Sequence, residues 1–287
     1  MSLCIIFLNR RSYCGRPKIN AQEKWERATL ANNFIFYKVM RHHPDACKHL
    51  IEMLLKVKIV QMNMHNEEAV EIDPEAKGIH LDVFVKDIGR MYDVELQVTD
   101  TKELPERARY YQGLMDLDSL KAGQKYKELC DSHVIFICLE DVFHNGLPVC
   151  TFENICIEDG QTTLKDRAYK HFFFAEACAN MIEDEEVRSF FEFLISNRAG
   201  NGFTSDLKDY VTDAKHNMQW RHQFMTWERQ RAYDFDDGKE AGKQEKAVED
   251  ARNFLMKGID SEIIAECTGL PLEEVQKLAE EIATVKV

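Results

Sequence analysis

The chain of 287 residues sets 37 Lys and Arg against 50 Asp and Glu, a formal net charge of −13, with 45% hydrophobic and 30% charged residues. That length and balance suit a soluble globular protein with a full core, built as one large domain or one domain with an appendage. The acidic surface works against a general phosphate binder, because phosphate contacts need Lys and Arg. No stretch approaches a membrane span, and the six-residue apolar run at 3–8 is followed by Asn9, Arg10 and Arg11, which argues against a secretory signal. Nine scattered cysteines with no CxxC pair point to reduced thiols in a cytoplasm.

Residues 1–22 are expected to form a loosely attached leader. From 23 to 55 apolar positions such as Leu30, Phe34, Tyr37, Cys47, Leu50, Ile51 and Leu54 recur at helical spacing. His43-Pro44 breaks the run, with Asp45 as the expected cap of its second half. Residues 59–72 read as extended, and 78–98 as a hairpin. A helix is expected over 104–122, starting near Thr101 or Pro105 and ended by Gly123. The apolar run 134–139 reads as a buried strand and 148–157 as an extended piece, while 169–174 fits strand or helix equally. Helices follow at 183–197 and 205–218, separated by the break at 198–202.

Residues 219–256 read as a long, charged, exposed helix suited to binding a partner. Trp220 and Trp227 beside Arg221, Arg229 and Arg231 fit an amphipathic core helix better than a nucleic-acid stacking face. Two short helices follow at 258–282 around Thr268-Gly269-Leu270-Pro271, with Ala265, Gly269 and Val275 where a helix-turn-helix wants them. The second of these helices carries Glu273, Glu274, Glu280 and Glu281 against Lys277, which suits packing or dimerisation and not a major groove. The ten histidines show no HExxH or paired ligand spacing and read as structural or surface residues.

The chemistry concentrates in the hairpin. Alternation places Leu81, Val83 and Val85 on one face of its first strand, and Asp82 and Phe84 on the other. Residues 86–90 make the turn, with Gly89 free to take positive φ. On the second strand Tyr92, Val94, Leu96 and Val98 face one way, and Asp93, Glu95 and Gln97 the other. Paired strands bring Asp82 and Glu95 to one side, where carboxylates without partners are costly. A divalent cation, Mg²⁺ or Mn²⁺, accounts for them, held by Asp82, Glu95 and the backbone carbonyl of Leu96. The bland alternative is that both acids are solvated on the open face of an antiparallel hairpin. Asp93, at the strand start, reads as a turn cap.

The pattern D-x12-E-x-Q formed by Asp82, Glu95 and Gln97 resembles the PD-(D/E)xK nuclease signature with Gln in place of Lys. Asn32-Asn33-Phe34-Ile35-Phe36-Tyr37-Lys38 resembles that family's N-terminal helix motif. Arg107, Tyr110 and Tyr111 resemble its R-x-x-Y-Y helix, and Gly123, Tyr126 and residues 134–137 its return strand. Together these four ordered motifs resemble the recombination-promoting nuclease and transposase family over roughly residues 23–280.

The resemblance implies an α/β fold: a restriction-endonuclease-like core, a mixed sheet flanked by helices, with an α-helical C-terminal extension. It places the nuclease domain at 23–180, a helical extension at 181–257 and a helical hairpin at 258–287. It implies a Mg²⁺-dependent DNA endonuclease of the cytoplasm, serving recombination, mobile elements or defence. Asp82, Glu95 and Gln97 would be catalytic, with Asn33, Arg107 and Tyr111 lining the site. DNA is the implied partner, with self-association through the C-terminal helices. The rival reading is a catalytically silent nuclease-like module, favoured by Gln97 and by Asn33, where family members carry Asp. A regulator acting through the terminal helices is disfavoured by their acidity. Two expectations about variants follow: restoring Lys at Gln97 keeps or raises activity, and removing either carboxylate leaves metal-free stability unchanged or raised.

Overall fold

The computed structural model describes residues 20–64, 83–99 and 101–285. The N-terminal part runs α1 (Ala21–Arg27), α2 (Asn33–His42), α3 (Pro44–Leu55) and β1 (Asn63–Met64). The hairpin β2 (Val83–Asp87) and β3 (Arg90–Gln97) follows, then α4 (Leu104–Ser119) and β4 (Asp131–Cys138). Next come β5 (Val149–Phe152), β6 (Ala168–Phe174), α5 (Ala175–Met181), α6 (Glu185–Ser196) and α7 (Gly202–His216). The chain ends in α8 (Met218–Met256), α9 (Ser261–Thr268) and α10 (Leu272–Val285). Among the described residues six strands form one mixed sheet in the order β1-β2-β3-β4-β6-β5, flanked by helices, which is the α/β architecture expected.

Local chemistry sets most of the boundaries. Asn20 caps α1 in a capping box with Glu23, and Asn32 caps α2 by accepting the Ile35 N–H. The helical run expected from 23 to 55 is therefore broken twice, at Ala28–Asn32 as well as at His43. Asp45 is not a cap: His43 holds that position, Pro44 opens α3, and Asp45 is a first-turn acid that complements the helix dipole. The hairpin turn is tighter than residues 86–90, since Asp87 pairs with Arg90 and only Ile88 and Gly89 span the bend, Gly89 at φ +68°. Proline opens α4 at Pro105 and the helix stops at Ser119, before Gly123.

The sheet centre is parallel, β3 beside β4 and β4 beside β6. Parallel strands are covered on both faces, so they carry unbroken apolar runs. Residues 134–138 and 171–174 are buried throughout, which is why 169–174 shows no periodicity and resolves as a strand only through its partners. One face is closed by α4, whose Leu104, Ala108, Tyr111 and Met115 pack on Phe84, Met91, Val134, Phe136, Phe172 and Phe174.

The other face carries a row of rings. Tyr92 pairs with His133, and His133 with Tyr169, across three strands. The His133 ring stacks on Tyr92 at 5.2 Å and Tyr169 at 5.0 Å, and its Nδ1 lies 3.0 Å from His171 Nε2. The second ring nitrogen of His171 meets Thr151 Oγ1 at 3.1 Å. Burial holds both imidazoles neutral, with pKa values lowered from 6.5 to about 4. The unfolded chain binds these protons near pH 6.5 and the folded one near 4, so their contribution is complete above pH 6.5 and lost as pH falls towards 4. Between pH 6.5 and 5 the expected loss is about 2 kcal/mol for each ring. Melting temperature should fall by several degrees over that interval, and the slope should largely vanish in a His133→Gln, His171→Gln double variant. A flat profile in the parent chain would contradict the buried neutral pair.

Chain packing separates residues up to Arg221 from His222–Val287. In the first unit α7 lies against α2, with Leu207, Val211 and Ala214 buried and Tyr210 stacked on His43 at 3.6 Å. Trp220 packs on His42 at 4.4 Å. In the second unit Ala251, Ile264, Leu270, Val275 and Leu278 form a small core shared by α8, α9 and α10. Gly269 ends α9 at φ +75°. Residues 229–246 of α8 are exposed throughout. No described helix is long and apolar enough to cross a membrane, and Cys47, Cys130, Cys138, Cys150, Cys156, Cys178 and Cys267 are free thiols.

Candidate active site

Strand β3 supplies the polar side chains and α4 the counter-charge. The hairpin register puts Phe84 opposite Asp93 and Val83 opposite Val94, so Asp93, Glu95 and Gln97 share the face on which α4 packs. Asp82 lies outside the described residues; it precedes Val83 in the chain. Glu95 is 3% exposed and Gln97 6%, which rules out solvated acids on an open face for this strand. Their burial follows from the position of β3 between β2 and β4, with α4 over them.

Arg107 and Tyr111 sit four residues apart on α4 and so share one helical face. The Arg107 guanidinium donates from Nη2 to Glu95 Oε2 at 3.0 Å and from Nη1 to Gln97 Oε1 at 2.8 Å. It also donates to the Tyr111 hydroxyl, from Nη2 at 3.0 Å and from Nε at 3.3 Å. Its planar carbon lies over the Tyr111 ring at 5.4 Å and the Phe136 ring at 5.7 Å. Charge-assisted bonds of this kind are roughly twice as strong as neutral ones, and they answer the burial of the carboxylate. Gln97 turns its amide nitrogen to the Thr99 carbonyl. Both polar ends of that side chain are thus engaged, and it holds Arg107 in place.

Burial, reinforced by the Glu95 carboxylate, pushes the Tyr111 hydroxyl up to about 12, so it is a neutral phenol at ordinary pH. The Asp93 charge acts on Tyr111 in the same direction. Asp93 is fully buried in the middle of β3, so it is not a turn cap. Alternation along the strand places it on the Glu95 face, and its nearness to the turn is what suggests a cap. Tyr110 points elsewhere and is 42% exposed, so only the second tyrosine of the pair joins the cluster. Asn33 is the first residue of α2, half-buried, next to the cap Asn32.

The donors on β3 suit a hard divalent cation. Successive carbonyls along a strand point to opposite sides, and that of Gln97 accepts the Leu139 N–H at 2.9 Å beyond the end of β4. The Leu96 carbonyl therefore faces the β2 side, adjacent to the Glu95 carboxylate in the chain. A carboxylate and a backbone carbonyl are oxygen ligands of the type Mg²⁺ and Mn²⁺ take. No group of three or more His, Cys, Asp or Glu side chains that could hold a metal is found among the described residues.

A mixed sheet carrying a buried Glu-x-Gln on its central strand, clamped by an arginine from the following helix, is the framework of a restriction-endonuclease-like domain. The model of the PD-(D/E)XK nuclease family transposases matches residues 34–174, and that segment is similar to the family. The match begins one residue after Asn33 and ends with β6, enclosing Asp82, Glu95, Gln97, Arg107 and Tyr111. No curated protein and no solved structure matches the chain.

Proposed function

We propose that the protein is a metal-dependent DNA endonuclease that hydrolyses phosphodiester bonds. The observation that carries this reading is the buried Glu95 of β3, bonded to Arg107 and flanked by Gln97 inside the family-matched segment. Asp82, Glu95 and the Leu96 carbonyl hold Mg²⁺ or Mn²⁺. Such a cation, when bound, polarises the scissile phosphate and lowers the pKa of the attacking water. Glu95 anchors this arrangement from a fixed strand, Gln97 positions Arg107, and Tyr111 keeps the guanidinium turned towards β3. Asn33 lines the site from α2. The net charge of −13 limits DNA contact to the metal and a small basic area, so binding is weak and salt-sensitive.

The nuclease domain spans 23–180, and a helical extension at 181–257 and a terminal hairpin at 258–287 support self-association. The protein works in the cytoplasm, in recombination, mobile-element movement or defence. The test is nicking of supercoiled plasmid in Mg²⁺ or Mn²⁺ with and without EDTA, beside a filter-binding assay. Cation-dependent nicking supports the reading. DNA binding without nicking would favour the silent module, whose supporting observation is that both ends of the Gln97 amide are bonded within the protein, to Thr99 and to Arg107.

The same bonds revise the expectation for position 97. A lysine there would set an ammonium against the Arg107 guanidinium and lose the 2.8 Å acceptor. Gln97→Lys is therefore expected to lower the melting temperature by several degrees, equivalent to about 1–3 kcal/mol, without raising nicking. Gln97→Ala should lose activity by releasing Arg107. Faster nicking by Gln97→Lys at unchanged stability would show that Arg107 does not depend on this amide.

A further inference from the structure

The Arg107 guanidinium stands where two demands conflict. It donates to Glu95 Oε2 at 3.0 Å, on a carboxylate that is 3% exposed, and a cation held by that carboxylate would meet a positive charge at its own ligand. The same guanidinium has anchors independent of Glu95: Gln97 Oε1 at 2.8 Å and the Tyr111 hydroxyl at 3.0 Å. Its side chain is 30% exposed, against 4% for that of Glu95, so of the pair it is the arginine that reaches solvent and has room to shift. Gln97 is a neutral amide and brings no charge of its own to the site.

We propose that Arg107 is a displaceable counter-charge: it neutralises Glu95 before the divalent cation binds, and afterwards remains on Gln97 and Tyr111 as the positive group facing the phosphodiester. The inference rests on the metal-nuclease reading. Cation and guanidinium compete for one carboxylate, so Arg107 weakens metal binding while stabilising the metal-free protein. Two like charges sharing a buried ligand repel by more than they would in water. An arginine present only for packing would have no such opposed effects.

The experiment measures Mn²⁺ binding by calorimetry and melting temperature with and without Mn²⁺, on the full chain and on Arg107→Gln, Arg107→Lys and Glu95→Gln. Arg107→Gln is expected to melt lower when metal-free, to bind Mn²⁺ about 10-fold more tightly and to gain more in melting temperature on adding it. Its nicking at saturating Mn²⁺ should fall at least about 10-fold, because the positive group is lost. Arg107→Lys retains charge but not the forked geometry, and should fall between the full chain and Arg107→Gln in affinity. It serves as the test if Arg107→Gln fails to fold. Mn²⁺ affinity equal to or weaker than that of the full chain, in whichever of these variants folds, would overturn the displacement. Absence of Mn²⁺ binding by the full chain, or binding that persists in Glu95→Gln, would instead overturn the metal reading beneath it.

Discussion

Glu95→Gln is expected to lower cation-dependent plasmid nicking by about three orders of magnitude or more, because it removes a charged ligand from the reacting centre. The substitution keeps the shape of the side chain and one oxygen to accept from Arg107, so circular dichroism should be unchanged. Stability is expected to depend on the Arg107 bond as well as on carboxylate repulsion. The bonded neighbour of Glu95 is the Arg107 guanidinium, at 3.0 Å, so Glu95→Ala withdraws a charge-assisted bond from a buried cluster. The expected loss in metal-free stability is about 1–2 kcal/mol, held down by the partial exposure of Arg107. A rise in melting temperature for Glu95→Ala would show that repulsion dominates this face.

Truncation should separate the two packing units with an all-or-none outcome. Ending the chain after Ile195 removes α7, and with it the buried Leu207, Val211 and Ala214 and the Tyr210 ring stacked on His43. Burying a Leu or Val side chain stabilises by roughly 1.5–3 kcal/mol, so losing Leu207, Val211 and the Tyr210 ring together approaches the whole stability of a domain. That product is expected to be insoluble or unfolded. Ending the chain after Asp237 keeps every residue up to Arg221 and removes α9, α10 and the part of α8 that packs with them. It should remain folded and cation-responsive, with altered self-association by light scattering. Loss of DNA affinity at unchanged mass would make the terminal helices a DNA-binding element.

Sequence patterns carry a large part of this structure. Strict alternation in β2 and β3 fixes which residues share a face, because a one-residue slip would invert every side chain. Arg107 and Tyr111 are readable as one face from their spacing of four. What the chain did not disclose was partnership. Nothing in the linear pattern says that the arginine of α4 would reach the strand ten and twelve residues before it and bond both Gln97 and Glu95. Asp93 reads as a turn residue because it lies near Gly89, yet the hairpin closes in two residues and leaves it deep in the strand. His133 and His171 look unrelated 38 residues apart, and only the parallel pairing of β4 with β6 brings their rings together.

At the centre of the proposal, Asp82 and Glu95 together would hold the divalent cation on which DNA cleavage depends. The most direct measurement incubates supercoiled plasmid with the full chain and with Asp82→Asn, in parallel, in Mg²⁺, in Mn²⁺ and in EDTA. The predicted result is nicked and linear plasmid from the full chain in either cation, none in EDTA, and at least about 100-fold less product from Asp82→Asn. Equal cleavage by Asp82→Asn, or cleavage that continues in EDTA, would contradict it.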